Sequence, residues 1–196
     1  MGRNWRLSSS VCLAMAREKI YTRAGDDGTT GLFYGGRVGK DSALPRAYGA
    51  VDEAQAILGL ARAESGKGTE LDELLVHIMR DLWVLMAELA TLPENRHKLV
   101  DGKSRVTAEM VTRLENMIDS LDEKFTPPTE FVVPGENKIA ALLDVGRTVA
   151  RRAERHSLAA APAPSQACPY LNRLSDLLWT IARWQEGKSL PAKSVD

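Results

Sequence analysis

Only two cysteines occur in the 196 residues, Cys12 and Cys168, far apart and neither in a CxxC pair. They imply neither a disulfide framework nor a thiolate metal site, and a reducing compartment fits them. Histidine is equally sparse. His77, His97 and His156 are scattered without HxxxH or HExxH spacing, so the sequence assigns no metal ligand. No apolar run reaches the roughly 18 residues that span a bilayer, and residues 11–16 are too short even for a signal-peptide core. Net charge is missing as well. The 26 basic and 26 acidic residues cancel, so no overall field draws the chain to nucleic acid or an anionic membrane, and any bound anion must meet a local cluster. No GxSxG elbow, Walker A loop or paired-acid arrangement stands out, and no internal repeat or heptad array appears.

What is present suits one folded domain. Hydrophobic residues make up 44% and charged residues 27%, the composition of an ordinary globular protein. Apolar positions recur at helical spacing over residues 47–64, with Val51, Ala54, Ile57, Leu58 and Ala61 on one side. Thr69 caps a second stretch whose stripe runs from Leu71 to Leu89 until Pro93 stops it. A third helix starts at Thr107 and closes before Pro127 and Pro128; a fourth covers about 137–157, with Leu142, Val145 and Val149 on its apolar side; a fifth covers about 165–186. No convincing strand is seen. The expectation is an all-α fold, a helical bundle. Residues 1–19 read as a disordered N-terminal extension, or as the presequence their Arg and Ser content would also fit, residues 20–186 as the domain and 187–196 as a frayed tail.

Three segments could carry chemistry. Residues 21–41, YTRAGDDGTTGLFYGGRVGKD, read as a loop, and loops of that length in a compact domain are usually functional. In it Gly25, Gly28 and Gly31 permit close backbone approach to a ligand, Thr22, Thr29 and Thr30 offer hydroxyls, and Arg23 and Lys40 supply charge. A plain surface loop would show the same turn residues. On the fourth helix Arg147, Arg151 and Glu154 share a face, as a row of guanidinium forks for polyphosphate or as a solvated charged face. On the fifth, Asn172, Ser175, Asp176 and Trp179 line one side, while Leu171, Leu174, Leu178 and Ile181 supply core. Asp52 and Glu53 stand similarly on the first helix.

Taken together, YTRAGDDGTTGLF and RVGKDS within residues 21–42, AYGAVDE at 47–53, and FVVPG, RTVARRAER and YLNRLSD between 131 and 176 resemble the PduO-type ATP:cob(I)alamin adenosyltransferase family over residues 20–186. The resemblance implies a five-helix bundle of ferritin-like up-and-down packing with an N-terminal Gly/Thr-rich nucleotide-binding loop. It implies a homotrimer with active sites between subunits, the substrates ATP and cobalamin, and magnesium. Thr22, Arg23, Gly25, Asp26, Gly28, Thr29, Thr30 and Lys40 would then form the loop side of the nucleotide site, and Arg151, Glu154 and Asn172 its other side. Asp52 and Arg147 would pair across subunits, and Phe131 would lie beneath the corrin ring and keep the lower ligand off cobalt. A cytoplasmic location follows, or the mitochondrial matrix in a eukaryote, with an adenosylcobalamin-dependent enzyme as a recipient of product.

Asp27 departs from the family pattern where lysine is frequent, Glu136 replaces the second glycine of PGG, and Ala54-Gln55 replaces Leu-Asn. A cobalamin or ATP carrier without turnover and a plain helical interaction bundle are the competing readings.

Overall fold

The computed structural model describes residues 21–161 and 163–194; the N-terminal extension and Cys12 lie outside the described residues. A hairpin of β1 (Thr29–Gly31) and β2 (Arg37–Gly39) leads into α1 (Ala43–Ser65) and α2 (Glu70–Leu89). Then come α3 (Ala108–Asp122), β3 (Val132–Val133), α4 (Lys138–Ala160), α5 (Ala167–Glu186) and β4 (Leu190–Pro191). The starts of α2, α3 and α4 follow from side chains that replace missing intrahelical acceptors. Thr69 accepts from the Asp72 amide at 3.2 Å, Thr107 from Met110 at 3.4 Å and Asn137 from Ala140 at 2.8 Å. Glu70, Asp72 and Glu73 put negative charge on the positive end of α2.

Burial follows the expected stripes. Leu75, Ile78, Leu82, Leu85 and Leu89 of α2 are wholly buried, as are Leu171, Leu174, Leu178 and Ile181 of α5; each such side chain contributes about 1.5–3 kcal/mol. Cross-helix pairs give the directions. Glu64 meets Lys138 while Glu53 meets Arg152, so α1 and α4 are antiparallel. Asn137 donates to the Gln185 carbonyl and Asn172 to Glu154, so α4 and α5 are too. Asp81–Arg113 and Glu70–Lys124 set α2 against α3 in the same sense. The result is the up-and-down bundle of five helices. The N-termini of α1, α3 and α5 and the C-termini of α2 and α4 share one end, where the hairpin sits. Its Phe33 amide donates to the Ala90 carbonyl at 2.9 Å.

Several expectations need correction. Short strands exist: β1 pairs antiparallel with β2, and β3 with β4. Segments of two or three residues carry no alternation to read. The expected frayed tail is ordered over residues 187–194, since Leu190 and Pro191 pair with Val133 and Val132. The first helix begins at Ala43, four residues early, because Pro45 is tolerated in a first turn. Pro93 opens a 3-10 turn, Pro93–Lys98, rather than only ending α2. Val145 is 48% exposed and off the apolar side of α4, whereas Ser175 is buried and satisfied by the Asn172 carbonyl at 2.8 Å.

Candidate active site

Internal contacts hold the Gly/Thr loop in shape. Arg37 of β2 donates from Nε to Thr29 Oγ1 at 3.1 Å and from Nη2 to the Ala24 carbonyl, clasping the start of the loop to β1. Lys40 Nζ donates to the Gly25 carbonyl at 2.7 Å, and its amide donates to Gly28 at 2.9 Å. A Cβ at Gly25 would come within 3.1 Å of Lys40 Nζ and 3.0 Å of the Thr29 carbonyl, and Gly28 sits at φ +82°, so both positions call for glycine. Arg23 adopts φ +59° with its guanidinium 5.6 Å above the Tyr21 ring. Thr22 Oγ1 accepts from the Ala24 amide, and Thr30 Oγ1 makes only a long contact, 3.4 Å, to the Gly31 carbonyl.

Asp27 takes a place in this lattice that its charge alone did not suggest. Its carboxylate accepts the Thr29 hydroxyl at 2.7 Å and amide at 2.9 Å, which hold its pKa below the usual carboxylate value, with a further contribution from Arg37. It therefore orders the turn. Thr29 is fully engaged within the loop, while Asp26 keeps its side chain exposed.

On α4 and α5 the polar faces meet. Asn172 Nδ2 donates to Glu154 Oε1 at 3.1 Å, and Arg151, one turn before Glu154, is exposed. Arg147 Nε donates to Asp144 Oδ1 at 3.3 Å, and the second oxygen of Asp144 takes Arg183 Nη2 at 2.5 Å. Within the subunit the partner of Arg147 is thus Asp144. Asp52 is exposed on α1 and joins no ion pair among the described residues.

Phe131 precedes β3 and is 90% exposed. It borders a cavity of about 280 Å³ lined also by Glu130, Pro134, Arg147, Trp179 and Arg183. The Arg183 guanidinium carbon lies 6.0 Å from the centre of the Trp179 ring. An exposed apolar ring on one wall faces a cationic and aromatic wall contributed by α4 and α5.

The model of a protein family described as cobalamin adenosyltransferase matches residues 20–185. The chain belongs to the cobalamin adenosyltransferase family. It is 42% identical over 171 residues to a corrinoid adenosyltransferase of Citrobacter freundii, covering 86% of this chain and 95% of that one. The corrinoid adenosyltransferase of Mycobacterium tuberculosis is 40% identical over 178 residues, 87% and 90% of the two chains. Among solved structures, a phenylalanine-to-alanine variant of the PduO-type ATP:corrinoid adenosyltransferase from Lactobacillus reuteri, complexed with cobalamin and ATP, superposes with a TM-score of 0.77 at 26% identity, over 89% of this chain and 99% of that one. An arginine-to-lysine variant of that protein complexed with ATP gives 0.75 at 26%, over 88% and 99%.

For this adenosyltransferase, the residues singled out from sequence form three groups. The loop residues cluster at the hairpin end, Arg151, Glu154 and Asn172 lie on the neighbouring half of the α4–α5 face, and Phe131, Arg147 and Trp179 share the cavity. Among the described residues no hydrogen bond or ion pair joins the loop to Arg151, Glu154 or Asn172. Arg37, Asp144 and Arg183 were missed. Arg37 was legible in principle as a cation near the Thr29-Thr30-Gly31 segment, whereas nothing local marks Asp144 and Arg183, whose pairing exists only once the helices pack.

Proposed function

We propose that the chain transfers the 5′-deoxyadenosyl group of ATP to the cobalt of cob(I)alamin, giving adenosylcobalamin and triphosphate, by way of a four-coordinate cob(II)alamin. Relatives named as corrinoid adenosyltransferases, and a fold matched to proteins complexed with cobalamin and ATP, support the two substrates. The observation that carries the mechanism is Phe131, a large apolar ring left 90% exposed beside a cavity edged by Trp179 and Arg147. At the edge of the cavity that ring offers apolar area which a flat, largely apolar partner would gain by covering.

A corrin seated there would have Phe131 in the space its lower ligand needs. Without that ligand, cob(II)alamin accepts one electron from an external donor more readily. The two-electron nucleophile cob(I)alamin then attacks C5′ of ATP; the Co–C bond forms as the C5′–O bond breaks, and its electron pair leaves on triphosphate. Arg151 would stabilise that departing charge, while the Asn172–Glu154 pair would orient the nucleoside side. Thr22, Gly25, Gly28, Thr30 and Lys40 would surround the phosphates with amides, hydroxyls and a cation. Among the described residues no cluster of three or more acids, histidines or cysteines could hold a metal alone. Magnesium would arrive with ATP, keep most of its water and take one or two protein oxygens, here Asp26 and Thr30. The metal would neutralise phosphate charge. Asp52 and Arg147 would pair between subunits of a homotrimer, exchanging the Arg147–Asp144 contact or adding to it. Hand-over of product to an adenosylcobalamin-dependent enzyme completes the reading.

The test is anaerobic conversion of chemically reduced cobalamin with ATP and magnesium, followed by absorbance beside a no-protein control. Adenosylcobalamin and triphosphate should appear together, and binding of both substrates without conversion would identify a carrier instead. In Phe131→Ala, turnover from cob(II)alamin should fall on the order of tenfold or more while ATP affinity holds. Equal loss of both would remove the axial-ligand role.

A further inference from the structure

Phe131 sits on the link between α3 and α4, and its exposed ring makes little contact that could fix its own position. Among the described residues, every hydrogen bond made by residues 125–136 goes to the C-terminal segment. Val132 pairs with Pro191 and Val133 with Leu190, and the Ala192 amide donates to the Phe131 carbonyl at 2.7 Å. Lys193 Nζ lies 3.8 Å from Glu130. Residues 125–130 of the link and 187–189 of the C-terminal segment line a shared groove of about 370 Å³.

The C-terminal segment is itself anchored. Gly187 at φ +70° ends α5 and turns the chain back. Ser189 Oγ donates to Glu186 Oε2 at 2.7 Å, and Glu186 Oε1 accepts from Arg183 Nη2 at 3.0 Å. Arg183 is 2% exposed and also grips Asp144, which holds Arg147. One buried guanidinium therefore connects the Arg147 wall of the cavity to the segment that holds Phe131.

We propose that residues 187–194 form a positioning strap that sets Phe131 at its place over the cavity, with Ala192 as its contact to the phenylalanine backbone and Arg183 as its anchor. The proposal rests on the reading that Phe131 displaces the lower cobalt ligand. A displacement of about 1 Å in such a group can cost on the order of 100-fold in rate.

Ala192→Pro, which deletes the N–H to Phe131, and a truncation after Ser189 test the strap on the full protein in parallel with Phe131→Ala and the Ala192→Pro/Phe131→Ala double variant. Three quantities are read: amide hydrogen exchange in peptides covering residues 129–136, the four-coordinate fraction of bound cob(II)alamin by electron paramagnetic resonance, and kcat beside the KM for ATP. Both strap variants should exchange faster in those peptides only, lose most of the four-coordinate signal, and lose on the order of tenfold in kcat with ATP KM unchanged. The double variant should be no worse than Phe131→Ala alone. A wild-type signal in both strap variants, additive losses in the double variant, or collapse of the helices in both would overturn the strap. Phe131→Ala with an intact four-coordinate signal would instead overturn the reading of Phe131, whatever the exchange data show about the strap.

Discussion

Tyr170 illustrates how single side chains carry this fold. It is fully buried on α5, and its hydroxyl donates to Asp81 Oδ2 at 3.1 Å, beside the two contacts that Arg113 makes to the same carboxylate at 2.8 and 3.0 Å. Burial, and then the Asp81 charge, push its pKa well above the ordinary 10.0. The folded state therefore keeps a proton that the unfolded chain releases, so this contribution is complete below pH about 10 and is lost as pH rises from there towards the folded pKa. Tyr170→Phe should lower stability at neutral pH by about 1–3 kcal/mol, the worth of a hydrogen bond to a charged acceptor. The gap to wild type should narrow above pH about 10. Urea unfolding at both pH values checks this, and a gap constant with pH would contradict it. The burial of Tyr170 was not foreseeable from its place near the start of a helix. Asp81, Glu88, Asp144 and Arg183 escaped for the same reason, because each is neutralised or satisfied by groups 18 to 89 positions away.

At the level of elements, the helices were legible and the strands were not. A twenty-residue apolar stripe such as that of α2 repeats often enough to be read, and caps such as Thr69 and Thr107 mark where it starts. β3 and β4 comprise two residues each, and β4 includes a proline, so nothing local announces their pairing, although through it the tail holds the Phe131 link. The α1–α4 crossing is a second feature hidden from pattern. A Cβ at Gly146 would lie 3.1 Å from Leu58 Cδ2 and 3.7 Å from Ile57 Cγ2, so α1 side chains leave little room there. Gly146→Val should overfill that contact, cost about 1–3 kcal/mol and, through its neighbour Arg147, disturb the cavity wall. A thermal melt with a parallel cobalamin-binding titration measures both effects. Unchanged stability would mean that α4 can shift without cost.

At the scale of the whole molecule, the candidate site was legible as a set of residues but not as a site. Loop, α4 face and Phe131 link each appear in the sequence, yet within one chain the loop makes no hydrogen bond or ion pair with Arg151, Glu154 or Asn172 among the described residues. The proposed homotrimer would resolve this, with the loop of one subunit completing the α4–α5 face of the next. On that proposal Lys40→Ala would damage only the loop half of each site and Arg151→Ala only the helix half, so either homotrimer should be inactive. In mixed trimers, a boundary where an intact loop meets an intact α4 forms a working site. Random assortment makes about three-quarters of trimers mixed, and each mixed ring contains one such boundary, so about a quarter of wild-type sites should return. The measurement is adenosylcobalamin formation by the two variants produced together, compared with each alone, after light scattering shows that all assemble to the same mass. No recovery on mixing would place the loop and Arg151 of a working site in the same subunit.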